Sequence, residues 1–386
     1  MRLLLGIIFI ILLGGCQENA PSGNGIIMKS SINELTLIDN IYLDEWIDSI
    51  QYVKLETKDS CLIGDITQAL YVKNKWVIFD YTSQSIFLFD KHGAFIRKVG
   101  NRGRGPEEYL KTSNIMVNNI TGEILIYCYM TNRLLYFTNE GIFRKCTTFK
   151  RPNSAPIRNT ALINNGNIIC YSYDYSYHEI GKNGSGVWEV DSLGNFIKSY
   201  FTQETLYPAI HNLTSPYLTT IGNCNEYVYI RDAIFSNLYC ISNNKLDTVI
   251  LYNYENPEYL SYAGTTTYEG EGWYVPVSNC AVNTNNWIFN YWDDISENLF
   301  ISLYNKKNSQ IQYTKSWTLN SDGITTIIPN SLPTISNITN AIVFTASYKS
   351  PKNIESYKNL TDSTLYQLLN STLEDDNPIL QIAYTK

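Results

Sequence analysis

The chain has 386 residues, 44% of them apolar, with a formal net charge of −7 at pH 7. That length suits two average domains or one large all-β domain, and the apolar share is enough for a core. An acidic chain with no basic run speaks against nucleic-acid binding, which needs clustered Lys and Arg to hold phosphates. The 31 tyrosines tilt the composition toward strands.

The first predicted element is a leader. Arg2 is followed by an apolar run from Leu3 to Leu13 and then by "LGGC". The run is short for a membrane span and has the length of a signal-peptide core. It resembles a bacterial lipoprotein signal, which implies removal of residues 1–15 and acylation of Cys16. Each buried methylene is worth about 0.8 kcal/mol, so several chains on one cysteine hold a protein to a membrane stably. Gln17 is unlike the Asp of an inner-membrane retention signal, so the expected place is the outer membrane, with the leaflet open. Residues 16–31 are polar, contain Pro21, and read as a flexible tether to one domain over 32–386. The seven remaining cysteines show no C-x-x-C spacing and read as small buried hydrophobes.

Two segments then repeat without a gap. "WVIFDYTSQSIFLFDKHGAFIRKV" starts at Trp76 and "ILIYCYMTNRLLYFTNEGIFRKCT" at Ile124. Ile78 meets Ile126, Tyr81 meets Tyr129, Phe89 meets Phe137, Gly93 meets Gly141 and Phe95 meets Phe143. Each reads strand, polar turn, strand, glycine hairpin, strand. Weaker copies begin near Asn167, Glu226 and Trp287. Repeats of about 40–50 residues built from short strands point to a β-propeller. Strand patterns at "IQYVKLE" and "NPILQIAYTK" suggest that N- and C-terminal strands share one composite blade. The expected fold is therefore all-β, a propeller of six blades of four-stranded antiparallel sheets, with seven the alternative. Leu365, Leu368 and Leu369 fall at helical spacing and predict a short helix before the last strand.

"KVGNRGRGPEEYL", Lys98–Leu110, follows the last strand of the first full repeat and reads as the crossing to the next blade. Its glycines allow an irregular path and Pro106 stops strand pairing. No G-x-G-x-x-G or G-K-[ST] spacing is present, which removes a phosphate loop. On Gly100, Gly103, Gly105, Pro106, Glu108 and Tyr109 the segment resembles an NHL-type propeller repeat, and more closely the six-bladed propeller lipoproteins of Bacteroidetes. That resemblance implies a lipid-anchored envelope protein, in some cases linked to glycan uptake.

Catalytic motifs are scarce. His92, His178 and His211 are the only histidines, and none lies in a metal-binding spacing. Asp80, Asp232 and Asp293 stand at or just after predicted inner strands and are the candidates for a channel-sited calcium ion, with solvated turns as the plainer reading. Arg102, Arg104, Glu107 and Glu108 form either a ligand-facing rim or the bonds that fix a corner, and the corner is favoured. Two aromatic insertions, Tyr171–Gly186 and Tyr262–Ser278, carry the binding candidates Tyr268, Trp273 and Tyr274, whose rings could stack on sugars or anchor a partner. The favoured function is a non-catalytic envelope scaffold that binds a glycan, a peptide or another envelope protein, without nucleic acid and without a required cofactor. The alternative is a channel-sited hydrolase or lyase dependent on calcium.

Overall fold

The structure, a computed structural model, describes residues 26–28, 41–42, 47–150, 157–172, 186–202, 220–224, 227–231, 238–242, 245–252, 274–282, 286–293, 298–305, 310–314, 317–318, 333–334, 336–338, 340–346 and 363–386. The principal strands are β1 (Ile47–Lys54), β2 (Ile66–Val72), β3 (Lys75–Asp80), β4 (Ser85–Asp90), β5 (Phe95–Lys98), β6 (Thr112–Val117), β7 (Ile124–Cys128) and β8 (Arg133–Phe137). They continue with β9 (Phe143–Thr148), β10 (Ile157–Leu162), β11 (Ile168–Ser172), β12 (Gly186–Val190), β13 (Phe196–Thr202), β14 (Thr220–Cys224), β15 (Tyr227–Arg231) and β16 (Leu238–Ser242). The last are β17 (Lys245–Tyr252), β18 (Tyr274–Val282), β19 (Asn286–Asp293), β20 (Asn298–Asn305), β21 (Gln310–Thr314), β22 (Pro333–Thr334), β23 (Ala341–Ala346) and β24 (Ile379–Thr385).

They pair in chain order as antiparallel sheets of four: I is β2–β5, II is β6–β9, III is β10–β13, IV is β14–β17 and V is β18–β21. Sheet VI has the order β22-β23-β24-β1, so the last strand pairs with the first long one, Ile382 opposite Gln51. The composite sheet read from the termini is thus present. The offset read between the first two repeats is also the register: Ile78 opposes Phe87 in sheet I as Ile126 opposes Leu135 in sheet II.

Why these strands read as unbroken apolar runs follows from their burial. Trp76 and Ile78 pack toward sheet VI, with Ala341, Val343, Leu380 and Ile382. Val77 and Phe79, on the other face of the same strand, pack toward sheet II, with Ile124, Ile126, Leu135 and Phe137. Leu125 and Tyr127 then face sheet III, with Ile168, Cys170 and Trp188. A strand covered on both faces has no polar side to alternate with. Each such side chain contributes roughly 1.5–3 kcal/mol by burial.

The first strand of each sheet lies beside the first strand of the next: β2 by β6, β6 by β10, β10 by β14, β14 by β18, β18 by β22, and β22 by β2. Side-chain amides fasten these junctions. Gln68 of sheet I accepts the Ile115 N–H at 2.6 Å and donates to the Ile115 carbonyl at 3.4 Å. Asn114 of sheet II accepts the Thr160 N–H at 3.2 Å and donates to the Thr160 carbonyl. Asn337, between β22 and β23, holds both backbone groups of Tyr71 in sheet I.

Hairpin glycines add a second set of joints. Gly93, Gly141 and Gly194 adopt positive φ, as their turns require. A Cβ on Gly93 would stand 2.2 Å from the Lys54 carbonyl oxygen, and one on Gly194 2.5 Å from that of Thr148. Each hairpin therefore sits on the outer strand of the preceding sheet, which a larger residue would hold off. The predicted helix forms as α1 (Ser363–Asn370), with Leu365 and Leu369 buried against Ala346 and Ile379 of sheet VI. Within the segment read as a tether, Ile26–Met28 forms a strand that pairs parallel to β17, opposite Ile250–Tyr252. A further pair, Ile41–Tyr42 with Trp317–Thr318, lies along the same N-terminal path.

Candidate functional site

Antiparallel order puts two kinds of connection at one end of the molecule. The turn from second to third strand and the crossing into the next sheet both emerge where first strands begin. At sheet I this is visible in bonds: Gln84, in the β3–β4 turn, accepts the Thr112 N–H at 2.8 Å, and the Tyr109 hydroxyl donates to the Gln84 carbonyl at 3.1 Å. The strand ends flanking residues 173–185 (β11 to β12) and 253–273 (β17 to β18) lie at this same crossing end.

The last residue of each second strand faces that end. Asp80 opposes Ile66 and Ser85, Cys128 opposes Thr112 and Arg133, Ser172 opposes Ile157 and Gly186, and Asp293 opposes Tyr274 and Asn298. The Asp80 carboxylate is buried and accepts four bonds: from Gly64 N–H at 2.8 Å, Thr82 N–H at 2.9 Å, Ser83 N–H at 3.2 Å and the Ser83 hydroxyl at 2.9 Å. It ties a crossing to a turn. Cys128 occupies the equivalent place, and its sulfur accepts the Leu110 N–H at 3.4 Å. Burial pushes that thiol up, but hydrogen bonds from Thr131, Lys111 and Leu110 bring it below the usual thiol range. In both places backbone N–H groups point at the side-chain acceptor.

The crossing corner is closed on itself. Glu108 accepts the Gly105 N–H at 2.7 Å, Gly103 N–H donates to the Tyr109 carbonyl at 3.0 Å, and Asn101–Arg102 pairs parallel with Glu108–Tyr109. A Cβ on Gly103 would overlap the Glu108 carboxylate at 2.0 Å, so the glycine is what lets that side chain fold inward. Arg133 grips the outside, donating to the carbonyls of Gly105 at 3.3 Å and Pro106 at 2.6 Å and to the Cys146 sulfur at 3.0 Å. Arg102 and Arg104 are exposed, and among the described residues neither makes an ion pair.

Beside the corner the crossing end is apolar. Tyr81 is 51% exposed, Met130 59% and Leu62 50%. Tyr81 and Tyr129 stand on equivalent turns of adjacent sheets. Burial pushes the Tyr129 phenol up, the neighbouring Tyr81 adds to this, and Arg158, near the start of β10, opposes it. Tyr81 and Tyr129 thus occupy repeat-equivalent places at this end, with Arg158 on the first strand of the following sheet. Such tyrosine rings can stack on a flat apolar face.

The sequence-predicted residues divide as follows. Tyr274 begins β18 rather than lying in a loop, and its direct partner across the sheet is Asp293. Asp80 and Asp293 end second strands, since the strands nearest neighbouring sheets are the ones before them. Cys16, Asp232, Tyr268, Trp273, His178 and His211 lie outside the described residues. His92 is in the β4–β5 hairpin, its N–H on Asp90. Among the described residues no three His, Cys, Asp or Glu side chains stand together as a metal site. No helix of the described residues is long and apolar enough to cross a membrane. Arg133 and Arg158 were not singled out from sequence. The alignment of Tyr81 with Tyr129 was the one sign that these two occupy equivalent places.

A family model described as "Domain of unknown function (DUF4934)" matches residues 26–384. The structure of a Bacteroides fragilis protein inferred to be exported is similar, at a TM-score of 0.71 and 20% identity over 94% of this chain and 99% of that one. A Bacteroides thetaiotaomicron protein of unknown function gives a TM-score of 0.46 at 9% identity, covering 86% of this chain and 75% of that one. The Cps50 (Swd1) β-propeller domain of Myceliophteria thermophila gives 0.38 at 10% identity, covering 66% and 68%. Only the first of these likenesses bears on the fold. No curated protein matches the chain.

Proposed function

The chain belongs to the DUF4934 family, described as a domain of unknown function, and we propose that it is a lipid-anchored envelope scaffold whose sheets close into a six-bladed propeller. The crossing end of that ring binds the ligand. Support for closure is the neighbour relation of the first strands, with the Asn337 amide on Tyr71 joining the last sheet to the first. Support for the anchor is the "LGGC" leader, and the similar B. fragilis protein inferred to be exported agrees with it.

The observation that carries the binding reading is the convergence at one end. Exposed Tyr81 and its repeat-equivalent Tyr129 stand on turns of adjacent sheets there, and both aromatic insertions join strand ends on that side. Propeller connections at one rim are free to vary while the sheets hold position. Exposed aromatic faces suit a glycan or an aromatic-containing peptide. Arg102, Arg104 and Glu108 serve the corner in this reading, with the two arginines available to a partner at its edge.

A thermal-shift screen of the full mature chain against glycans, peptides and calcium tests it. A native-state ligand at a hundredfold excess over its Kd stabilises by about 2.7 kcal/mol. We expect a saturable shift from a glycan or peptide that Tyr81→Ala or Trp273→Ala abolishes. A calcium shift reversed by chelator and lost in Asp293→Asn would replace this reading with the calcium-dependent hydrolase or lyase.

A further inference from the structure

We infer that the outer edge of sheet IV, where Ile26–Met28 lies on β17, is the part of the protein held against the membrane surface; the inference rests on the anchored reading above. The strand pairs parallel, Ile26 with Ile250, Ile27 with Leu251 and Met28 with Tyr252. It makes sheet IV the one sheet of five strands among the described residues.

The added strand covers an edge that is open to pairing. An unpaired edge strand invites pairing with another chain unless charges or a cover protect it. The outer strands of sheets I, II and III carry their own protection: Arg97 and Lys98, Arg144 and Lys145, and Lys198. β17 carries Lys245 and Asp247 in its first half, and its second half, "TVILY", has no charged residue, as is true of the whole outer strand of sheet V, "QIQYT". It is the "TVILY" stretch that Ile26–Met28 covers. The N-terminal strand is therefore part of the domain, and only ten residue steps link it to Cys16.

Length then decides orientation. Ten residue steps separate Cys16 from Ile26, a reach of at most about 35 Å. A domain of this size is roughly 50 Å across. The tether is thus shorter than the body, and the side opposite sheet IV cannot reach the bilayer. Without the docked strand the next paired residue is Ile41, 25 residue steps from Cys16, a reach of about 90 Å that would let any side face the membrane. In a six-membered ring the sheet opposite IV is sheet I, which is therefore the side kept from the bilayer.

The test uses the full acylated chain on vesicles of phosphatidylethanolamine and phosphatidylglycerol containing a nitroxide-headgroup lipid. A fluorophore is placed through Asp247→Cys on β17 or Lys98→Cys on β5, with the unsubstituted chain as the labelling control. We expect quenching at position 247 at least fivefold stronger than at position 98. Combining Ile26→Gly, Ile27→Pro and Met28→Gly should erase that contrast while the circular dichroism of the sheets persists. Equal quenching at both positions in the otherwise native chain overturns the orientation. Absence of acyl groups on Cys16 by mass spectrometry overturns the anchor itself, and the two failures are read separately.

Discussion

The carboxamide of Asn337 clamps one residue of the first sheet: its Oδ1 accepts the Tyr71 N–H at 2.7 Å and its Nδ2 donates to the Tyr71 carbonyl at 2.9 Å. The two residues are 266 apart in the chain. Nδ2 also donates to Asn119 Oδ1 at 2.9 Å, so one amide touches sheets I and II from the loop of sheet VI. Asn337→Ala should cost about 1–3 kcal/mol, because it strands backbone groups that the amide satisfies. Asn337→Asp should cost more at pH 7, since a carboxylate cannot donate to the Tyr71 carbonyl. It should recover part of the loss below about pH 4, where the protonated acid donates again. Urea midpoints at both pH values check this. Equal midpoints for Asp and Asn at neutral pH would remove the clamp from the closure argument.

Two glycines separate the cost of backbone geometry from the cost of a blocked joint. Gly93 has φ of +91° and Gly166 has φ of +86°. A Cβ at Gly166 would meet nothing within 4 Å, whereas at Gly93 it would press on the Lys54 carbonyl at 2.2 Å. Gly166→Ala should lose only the left-handed penalty, about 1–2 kcal/mol. Gly93→Ala must also part sheet I from sheet VI and break the 2.8 Å bond from Glu56 N–H to its carbonyl, for a loss of roughly 3–5 kcal/mol. Denaturant titration of the two variants side by side measures the difference, and equal losses would mean the hairpin does not bear on its neighbour.

Acid should weaken the hairpins in a defined window. Asp90 Oδ1 accepts N–H groups of His92 at 2.8 Å and Ala94 at 2.9 Å, and Asp191 Oδ1 accepts those of Leu193 at 2.9 Å and Asn195 at 2.8 Å. Burial acts to raise both carboxyls, but these hydrogen bonds hold them below the usual carboxylate range. A depressed folded pKa gives stability that is present above the unfolded value, about 4, and lost as pH falls through the folded one. Stability should therefore hold from neutral pH to about 5 and decline below about 4. The double substitution Asp90→Asn and Asp191→Asn should flatten that acid limb, as read from urea midpoints across pH. An unchanged limb would assign the acid loss to other carboxylates.

Much of the fold was legible because it is periodic. Trp76 to Phe95 and Ile124 to Phe143 show the same apolar pattern, since the second and third strands of sheets I and II are buried on both faces. The first strands were harder to see. Each of the first three slips register near its start, at Ile66/Gln68, Thr112/Ile115 and Ile157/Asn159, which breaks the alternation that marks a strand. They also carry Gln68, Asn114 and Thr160, polar residues that look like loop and act as clamps. That is why Asp80 and Asp293 read as innermost when they end second strands. Long-range partners such as Asn337 with Tyr71 leave no local trace. The strand Ile26–Met28 is too short to stand out from a polar leader, and its partner, Ile250–Tyr252, lies far along the chain.

Arg133 makes the corner a testable object. The notable feature of "GRGPEEY" is its own charge, but the residue that holds it comes from β8, 27 positions after Pro106. Its guanidinium spans the Gly105 and Pro106 carbonyls and the Cys146 sulfur, which lysine cannot imitate because it lacks the planar fork. Arg133→Lys should therefore lose about 1–2 kcal/mol, close to the loss for Arg133→Ala. The local effect is sharper. Arg102 and Arg104 are exposed yet sit in backbone fixed by Glu108 and Arg133. Under native conditions the intact corner should resist trypsin, and Arg133→Lys should open cleavage after Arg102 and Arg104 at a rate at least tenfold higher. Because cleavage of a briefly opened segment follows its opening equilibrium, a tenfold rate corresponds to about 1.4 kcal/mol of local stability. Mass spectrometry of the first fragments identifies the sites. If Arg133→Lys cuts no faster there than the native chain, the corner is held by its glycines and Glu108 alone, and Arg133 is free to serve a partner.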